Sequence, residues 1–153
     1  MSFNCVLVAV PGLTSADLAT LGVSSGEGTT LDDATMPDAP SPAVFEVDGG
    51  TLIAGSDIEA VLEWLPTLTD WRTAVAIFGS TADTYSFEVY DGPSLIRQWV
   101  TVAGETVAED GEPLLAEEAI EYLDDDSLLD LLEAASQLPI SFDIEGNYVD
   151  LMP

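Results

Sequence analysis

The stretch "TYSFEVYDGPSLIRQWVTVAG", residues 84–104, decides the fold. Tyr85, Phe87 and Val89 alternate with Ser86, Glu88 and Tyr90, the two-residue period of a strand with one buried face. Asp91-Gly92 marks a turn, and the apolar run after it reads as the returning strand of a hairpin. Working outward, "TAVAIFGS" (73–80) supplies a strand before it, and "AVFEVDGGTLIAGS" (43–56) alternates and turns at Asp48-Gly49-Gly50. "FNCVLVAV" (3–10) is β-branched and apolar on both faces, as a doubly covered strand should be, and Pro11-Gly12 ends it. "PISFDIEGNYVDLMP" (139–153) adds a last short strand.

Three segments read as helices. "TSADLATLG" (14–22) offers Thr14 or Ser15 as N-cap, Leu18 and Leu21 on one face, and Gly22 as a stop. In "SDIEAVLEWLPTL" (56–68), Ser56 caps a helix whose Ile58, Val61, Leu62 and Leu65 share a face, and Pro66 ends it. "DDDSLLDLLEAASQL" (124–138) has Leu128, Leu131, Leu132 and Ala135 as its core stripe and acids at its start, where they complement the helix dipole. The segment "VSSGEGTTLDDATMPDAPSP" (23–42), rich in Gly, Ser, Thr and Pro, is expected to be a long irregular loop. The pattern predicts one α+β domain over 1–153, with a largely antiparallel sheet of five or six strands and two to three helices. Strands are expected near 3–10, 43–54, 73–79, 84–90 and 94–102, and the main helices near 57–65 and 126–137.

The charge is anomalous. Among 153 residues, 47% of them hydrophobic, 29 are acidic, and Arg72 and Arg97 are the only bases, which leaves a net charge of −27. So apolar a chain can fold, yet self-repulsion of this size opposes a compact state. No apolar run reaches the roughly 18 residues needed to cross a bilayer, and no basic residue precedes "NCVLVAVPG", so no secretory signal is expected. The lone Cys5 reads as a buried thiol in a reducing compartment, and the cytoplasm is the expected location. Nucleic acid and anionic membrane surfaces would both repel the chain.

Most catalytic chemistry is excluded by absence. Without histidine there is no common general base, triad or imidazole metal ligand. Without lysine there is neither a Schiff base nor a P-loop, and one cysteine cannot build a thiolate zinc site. "GEG" at 26–28 lacks the third glycine of a dinucleotide fingerprint, since Leu31 stands there. A glycosidase needs only two carboxylates, but among 29 some pair always lies at a suitable distance. "DDDSLLDLLE" lacks the turn glycine of a calcium loop. No catalytic centre, cofactor or metal site is expected. Arg72 and Arg97 are expected to anchor local carboxylates or stack on Trp71 or Trp99, and Trp64, Trp71 and Trp99 to be core or sheet-face residues.

The Arg97 hairpin, then Gly111-Glu112-Pro113-Leu114 with an acidic spacer, then "SLLDLLEAA", resembles a group of uncharacterised small bacterial domains over about residues 85–135. In those, an arginine-bearing hairpin precedes a G-E-P-L-P-E-E element and a leucine-rich helix; here Leu115 departs from the proline. The resemblance implies a small cytoplasmic bacterial protein and no known activity.

Function has to be argued from the acids themselves. Residues 111–135 carry nine of them and no base. A folded chain of 16.1 kDa exposes on the order of 7,000–7,500 Å², so its mean charge density is under half that of duplex DNA, at roughly one charge per 110 Å². If the twelve acids of residues 105–133 cover about a third of the surface, that face approaches about one charge per 200 Å², denser than the mean surface. Three readings compete: mimicry of nucleic-acid charge against a basic protein, adaptation to high salt, and a non-catalytic acidic protein with a solubilising coat. The high apolar fraction and the C-terminal concentration of acids favour mimicry over salt adaptation. The expected partner is a basic, nucleic-acid-binding protein, met through Glu117, Glu118, Glu121, Asp124, Asp125, Asp126, Asp130 and Glu133. In composition such a protein is analogous to anti-defence inhibitors and to immunity proteins against basic nucleases.

Overall fold

Strand β1 (Asn4–Pro11) is apolar at every position from Cys5 to Val10, and the sheet uses both of its faces. Cys5, Leu7 and Ala9 enter one hydrophobic cluster; Val6, Val8 and Val10 enter a second on the opposite side. The computed structural model describes residues 4–20, 22–37, 39, 42–63 and 65–151. Around β1 lie β2 (Val23–Thr30), β3 (Ala43–Val47), β4 (Gly50–Gly55), β5 (Arg72–Gly79), β6 (Thr84–Asp91), β7 (Ser94–Val102), β8 (Glu105–Gly111) and β9 (Glu145–Leu151). They form one nine-stranded sheet in the order β2-β9-β3-β4-β1-β5-β6-β7-β8. Every pairing is antiparallel.

Among the described residues, four α-helices cover the sheet: α1 (Ser15–Thr20), α2 (Leu31–Ala34), α3 (Ile58–Leu62) and α4 (Asp125–Ser136). On one face, Leu128, Leu131 and Leu132 of α4 and Leu31 and Ala34 of α2 close over Leu7, Phe78, Phe87 and Trp99. On the other, Leu18 of α1 and Val61 of α3, with Leu13 and Leu68, close over Val6, Val8 and Val75. Each such leucine removed from water contributes about 1.5–3 kcal/mol, which gives the chain the means to hold its charge together.

The expected α+β domain with five or six strands and two to three helices is overturned: the architecture is mostly sheet, with nine strands and four helices. The expected loop at 23–42 contains β2 and α2. β2 reads "VSSGEGTT", without apolar alternation, because it is held through its backbone to β9 across a bulge between Ser25 and Gly28. α2 follows at once, Thr30 accepting the Asp33 N–H as its cap. β8 escaped the periodicity because it is an edge strand, exposed at every position except the half-buried Ala108. Acidic side chains on such an edge discourage pairing with another copy. The 43–54 segment is two strands, β3 and β4, around a turn in which Gly49 has φ +97°.

The helix expected at 57–65 begins with Asp57 as cap, not Ser56, and its α-helical part ends at Leu62; a short 3-10 turn, Leu65–Thr67, follows. Thr14 caps α1 by accepting the Asp17 N–H, while the Asp17 carboxylate accepts the Thr14 N–H. Leu21 and Trp64 lie outside the described residues.

Close approach of β9 to β3 requires Gly146: a Cβ there would stand 2.1 Å from the Val44 carbonyl oxygen and 2.5 Å from the Phe45 ring. Gly146→Ala should therefore loosen β9 and the β2 edge beyond it. A loss of at least about 2 kcal/mol is expected in urea unfolding, with the earliest hydrogen exchange in β2 and β9; wild-type stability would contradict this packing.

Candidate partner-docking site

The acidic segment is held in place by a base. Alternation along β7 turns Arg97, Trp99 and Thr101 to the α4 side of the sheet, and Arg97 is only 2% exposed. All five guanidinium N–H groups are used. Nε donates to Glu117 Oε2 (3.0 Å), and Nη2 donates to Glu117 Oε1 (2.5 Å) and Glu109 Oε2 (2.9 Å). Nη1 donates to the carbonyls of Asp110 and Gly111, each at 3.2 Å. Glu117 Oε2 also accepts the Leu114 N–H at 2.8 Å. One side chain thus ties β7 to β8 and to the 3-10 helix Leu115–Ala119 that follows. The paired carboxylates, Glu117 first, raise the guanidinium pKa above its ordinary value against the opposing pull of burial. Gly111 fits this site alone: at φ +79°, any Cβ would lie 1.9 Å from the Ile96 carbonyl oxygen.

From that anchor the chain reaches α4. Asp124 caps it in a reciprocal pair, its Oδ1 accepting the Ser127 N–H and Ser127 Oγ accepting the Asp124 N–H, both at 2.8 Å. Asp125, one residue on, is half-buried against Tyr85. Burial raises its carboxyl pKa, opposed by the Tyr85 hydrogen bond, and its Oδ1 is buried without a hydrogen-bond partner. Burial, with the Asp125 charge added, pushes the Tyr85 hydroxyl and the Cys5 thiol each up to about 12.

Between the 3-10 helix and α4 lies an open groove of about 450 Å³. Ala116, Ala119, Ile120 and Leu131 form its apolar floor, and Glu121, Asp124, Asp126 and Asp130 its rim. Tyr122, also at the groove, is 51% exposed, and Leu115 at the start of the 3-10 helix is 80% exposed. Leu115 is the first residue of the 3-10 helix.

The eight acids singled out from the sequence separate into distinct environments. Glu118, Glu121, Asp126 and Asp130 are exposed, and three of these four line the groove. Asp124 lines it while serving as cap. Asp125 turns to Tyr85. Glu133 is half-buried and accepts the Ile140 N–H at 2.8 Å, holding the chain that leaves α4. Glu117 is a correction: 8% exposed and committed to Arg97, it belongs to the scaffold and offers no free carboxylate. The groove floor and Tyr122 were missed, although Tyr122 is the sole aromatic side chain in the 111–135 stretch.

Arg97 anchors carboxylates, Arg72 is exposed at the start of β5, and Trp71 packs against the α3 side. Trp99 is buried and donates its indole N–H to Thr106 Oγ1 at 3.0 Å. Among the described residues, no three Cys, Asp or Glu side chains converge as a metal site, and no helix is long and apolar enough to cross a membrane. The chain matches no protein-family model, no curated protein and no solved structure.

Arg97→Met should strand Glu117 as a buried unpaired charge and cost about 3–5 kcal/mol in urea unfolding. Adding Glu117→Leu should restore much of the loss, because an apolar pair replaces an ionic one of similar volume. Equal destabilisation of the single and double variants would argue against the ion pair as the source.

Asp125→Asn tests the half-buried carboxyl. A carboxyl whose folded pKa lies above its unfolded value favours folding at low pH, and that contribution disappears as pH rises through the folded pKa. The variant keeps a partner for Tyr85 and cannot ionise. Its stability relative to wild type should therefore increase as pH rises through the carboxylate range and level off above the folded pKa. A difference independent of pH would place Asp125 in water.

Proposed function

We propose that this chain is a cytoplasmic, non-catalytic acidic binding protein that imitates nucleic-acid charge and occupies the basic surface of a nucleic-acid-handling protein, as an inhibitor or immunity protein would. The observation that carries the reading is the groove between the 3-10 helix and α4, where Glu121, Asp124, Asp126 and Asp130 surround an apolar floor. Lysine and arginine have an aliphatic stem and a charged head, so they satisfy both parts of such a groove. Asp126 and Asp130 lie one helical turn apart, about 6 Å along the axis, and Glu118 extends the charge outside the groove. Half-exposed Tyr122 adds an aromatic face suited to a guanidinium. The missing lysines and histidines fit the same reading, since any base here would weaken attraction to a basic partner.

The partner is to be captured from lysate at low salt, released at high salt and identified. Association is then measured for a variant carrying Glu118→Lys, Glu121→Lys, Asp126→Lys and Asp130→Lys. These four are exposed and stand outside the Arg97 network, the α4 cap and the leucine stripe, so the fold should persist. Association should slow by about an order of magnitude or more at low salt and far less at about 0.5 M salt, where the Debye length is only a few ångströms. A wild-type rate would leave the acids as a solubilising coat. Unfolding of the wild-type chain in dilute buffer would favour salt adaptation instead.

A further inference from the structure

The groove between the 3-10 helix and α4 is too large for a single basic side chain. Its volume is about 450 Å³. At about 30 Å³ per water-sized group it takes on the order of fifteen non-hydrogen atoms, roughly twice what one arginine side chain supplies. Floor and rim differ in kind. Ile120 is half-buried and Leu131 fully buried, whereas Glu121, Asp126 and Asp130 on the rim are exposed. Ala116 and Ala119 carry the smallest side chains on the floor, so a second backbone can approach closely there. Leu115, 80% exposed, and Tyr122, 51% exposed, stand before and after this segment and extend its apolar surface.

We propose that the occupant is a basic amphipathic α-helix of the partner, its apolar side chains on the floor and its arginines against Asp126 and Asp130. The proposal rests on the charge-mimic reading and names the element which that reading leaves open. The walls select a helix. They are themselves a 3-10 helix and an α-helix, so they offer no ladder edge to an extended segment. A strand laid over Ile120 and Leu131 would leave its own N–H and C=O groups unpaired on an apolar floor, whereas a helix pairs them internally. Apolar anchors at helical spacing with charge beside them are the usual pattern of a helix seated in a groove. Asp126 and Asp130 are met by basic residues one turn apart on such a helix, and the Tyr122 ring suits the planar guanidinium. The major groove of duplex DNA also admits an α-helix. A helix that reads nucleic acid is therefore the part of a basic partner that this groove takes.

Binding of three synthetic peptides to the intact chain, followed by fluorescence anisotropy at about 0.15 M salt, tests this. Each is about 18 residues long, enough for a helix to form alone, and all carry the same number of arginines. The first places leucines and arginines together on one helical face. The second rearranges them onto opposite faces, and the third is the first with two central prolines that break the helix. The first should bind about tenfold or more tighter than either of the others. Ala119→Trp sets an uncharged ring on the floor at an exposed position, and should bring the first peptide down to the affinity of the second. The four-lysine variant should bind none of them. Equal binding of all three peptides to the wild-type chain, weakening with salt, would overturn the helix and leave the charge reading standing. Wild-type affinity of Ala119→Trp for the first peptide would also overturn it. Failure of the wild-type chain to bind any of them, or undiminished binding by the four-lysine variant, would overturn the charge reading and this proposal with it.

Discussion

Arg97 to Glu117 is the contact on which the functional half of the molecule depends. A guanidinium placed 2% exposed within a sheet would be prohibitive to bury alone. Here every donor has an acceptor, and those acceptors come from β8 and from the 3-10 helix. The result is a joint between the edge of the sheet and the segment that carries the acids. In a chain with 29 carboxylates, one buried base decides which of them becomes structural. Glu117 is taken inward, and Glu118 beside it stays in water.

Repulsion is managed by separation of roles. Apolar side chains fill both sides of the central strands, while acids stand on exposed elements such as the edge strand β8 and the outer side of α4. Over 7632 Å² of surface the net charge averages about one per 280 Å², well below the density of duplex DNA. Several acids also contribute locally: Asp124 and Asp57 cap helices, Asp17 closes the first turn of α1, and Glu133 holds the Ile140 amide.

What was legible in the sequence was whatever rested on side-chain period. β1, the β6–β7 hairpin and α4 announce themselves because burial imposes periods of two or of three to four on leucine, valine and phenylalanine. β2 and β8 do not, since one is glycine- and serine-rich and the other is an exposed acidic edge; backbone pairing with β9 and β7 makes them strands. Acid density located the region of the groove but could not sort its members. Glu117 and Glu118 are neighbours of the same type, and only the placement of Arg97 twenty residues earlier distinguishes them. The floor was invisible for a similar reason: Ala116, Ile120 and Leu131 come from two elements that meet only in three dimensions.

The buried Cys5 has a consequence for the chemical durability of the chain. With its thiol pushed up to about 12, the thiolate fraction at neutral pH falls to about one part in a hundred thousand. The chain contains no lysine amine and no imidazole. Its side chains therefore present amine- and thiol-directed electrophiles with almost nothing to attack: aldehydes and acylating agents that modify ordinary proteins through lysine amines and thiolates find carboxylates instead. A surface built almost wholly of one ionisable group is, as a by-product, an unreactive one.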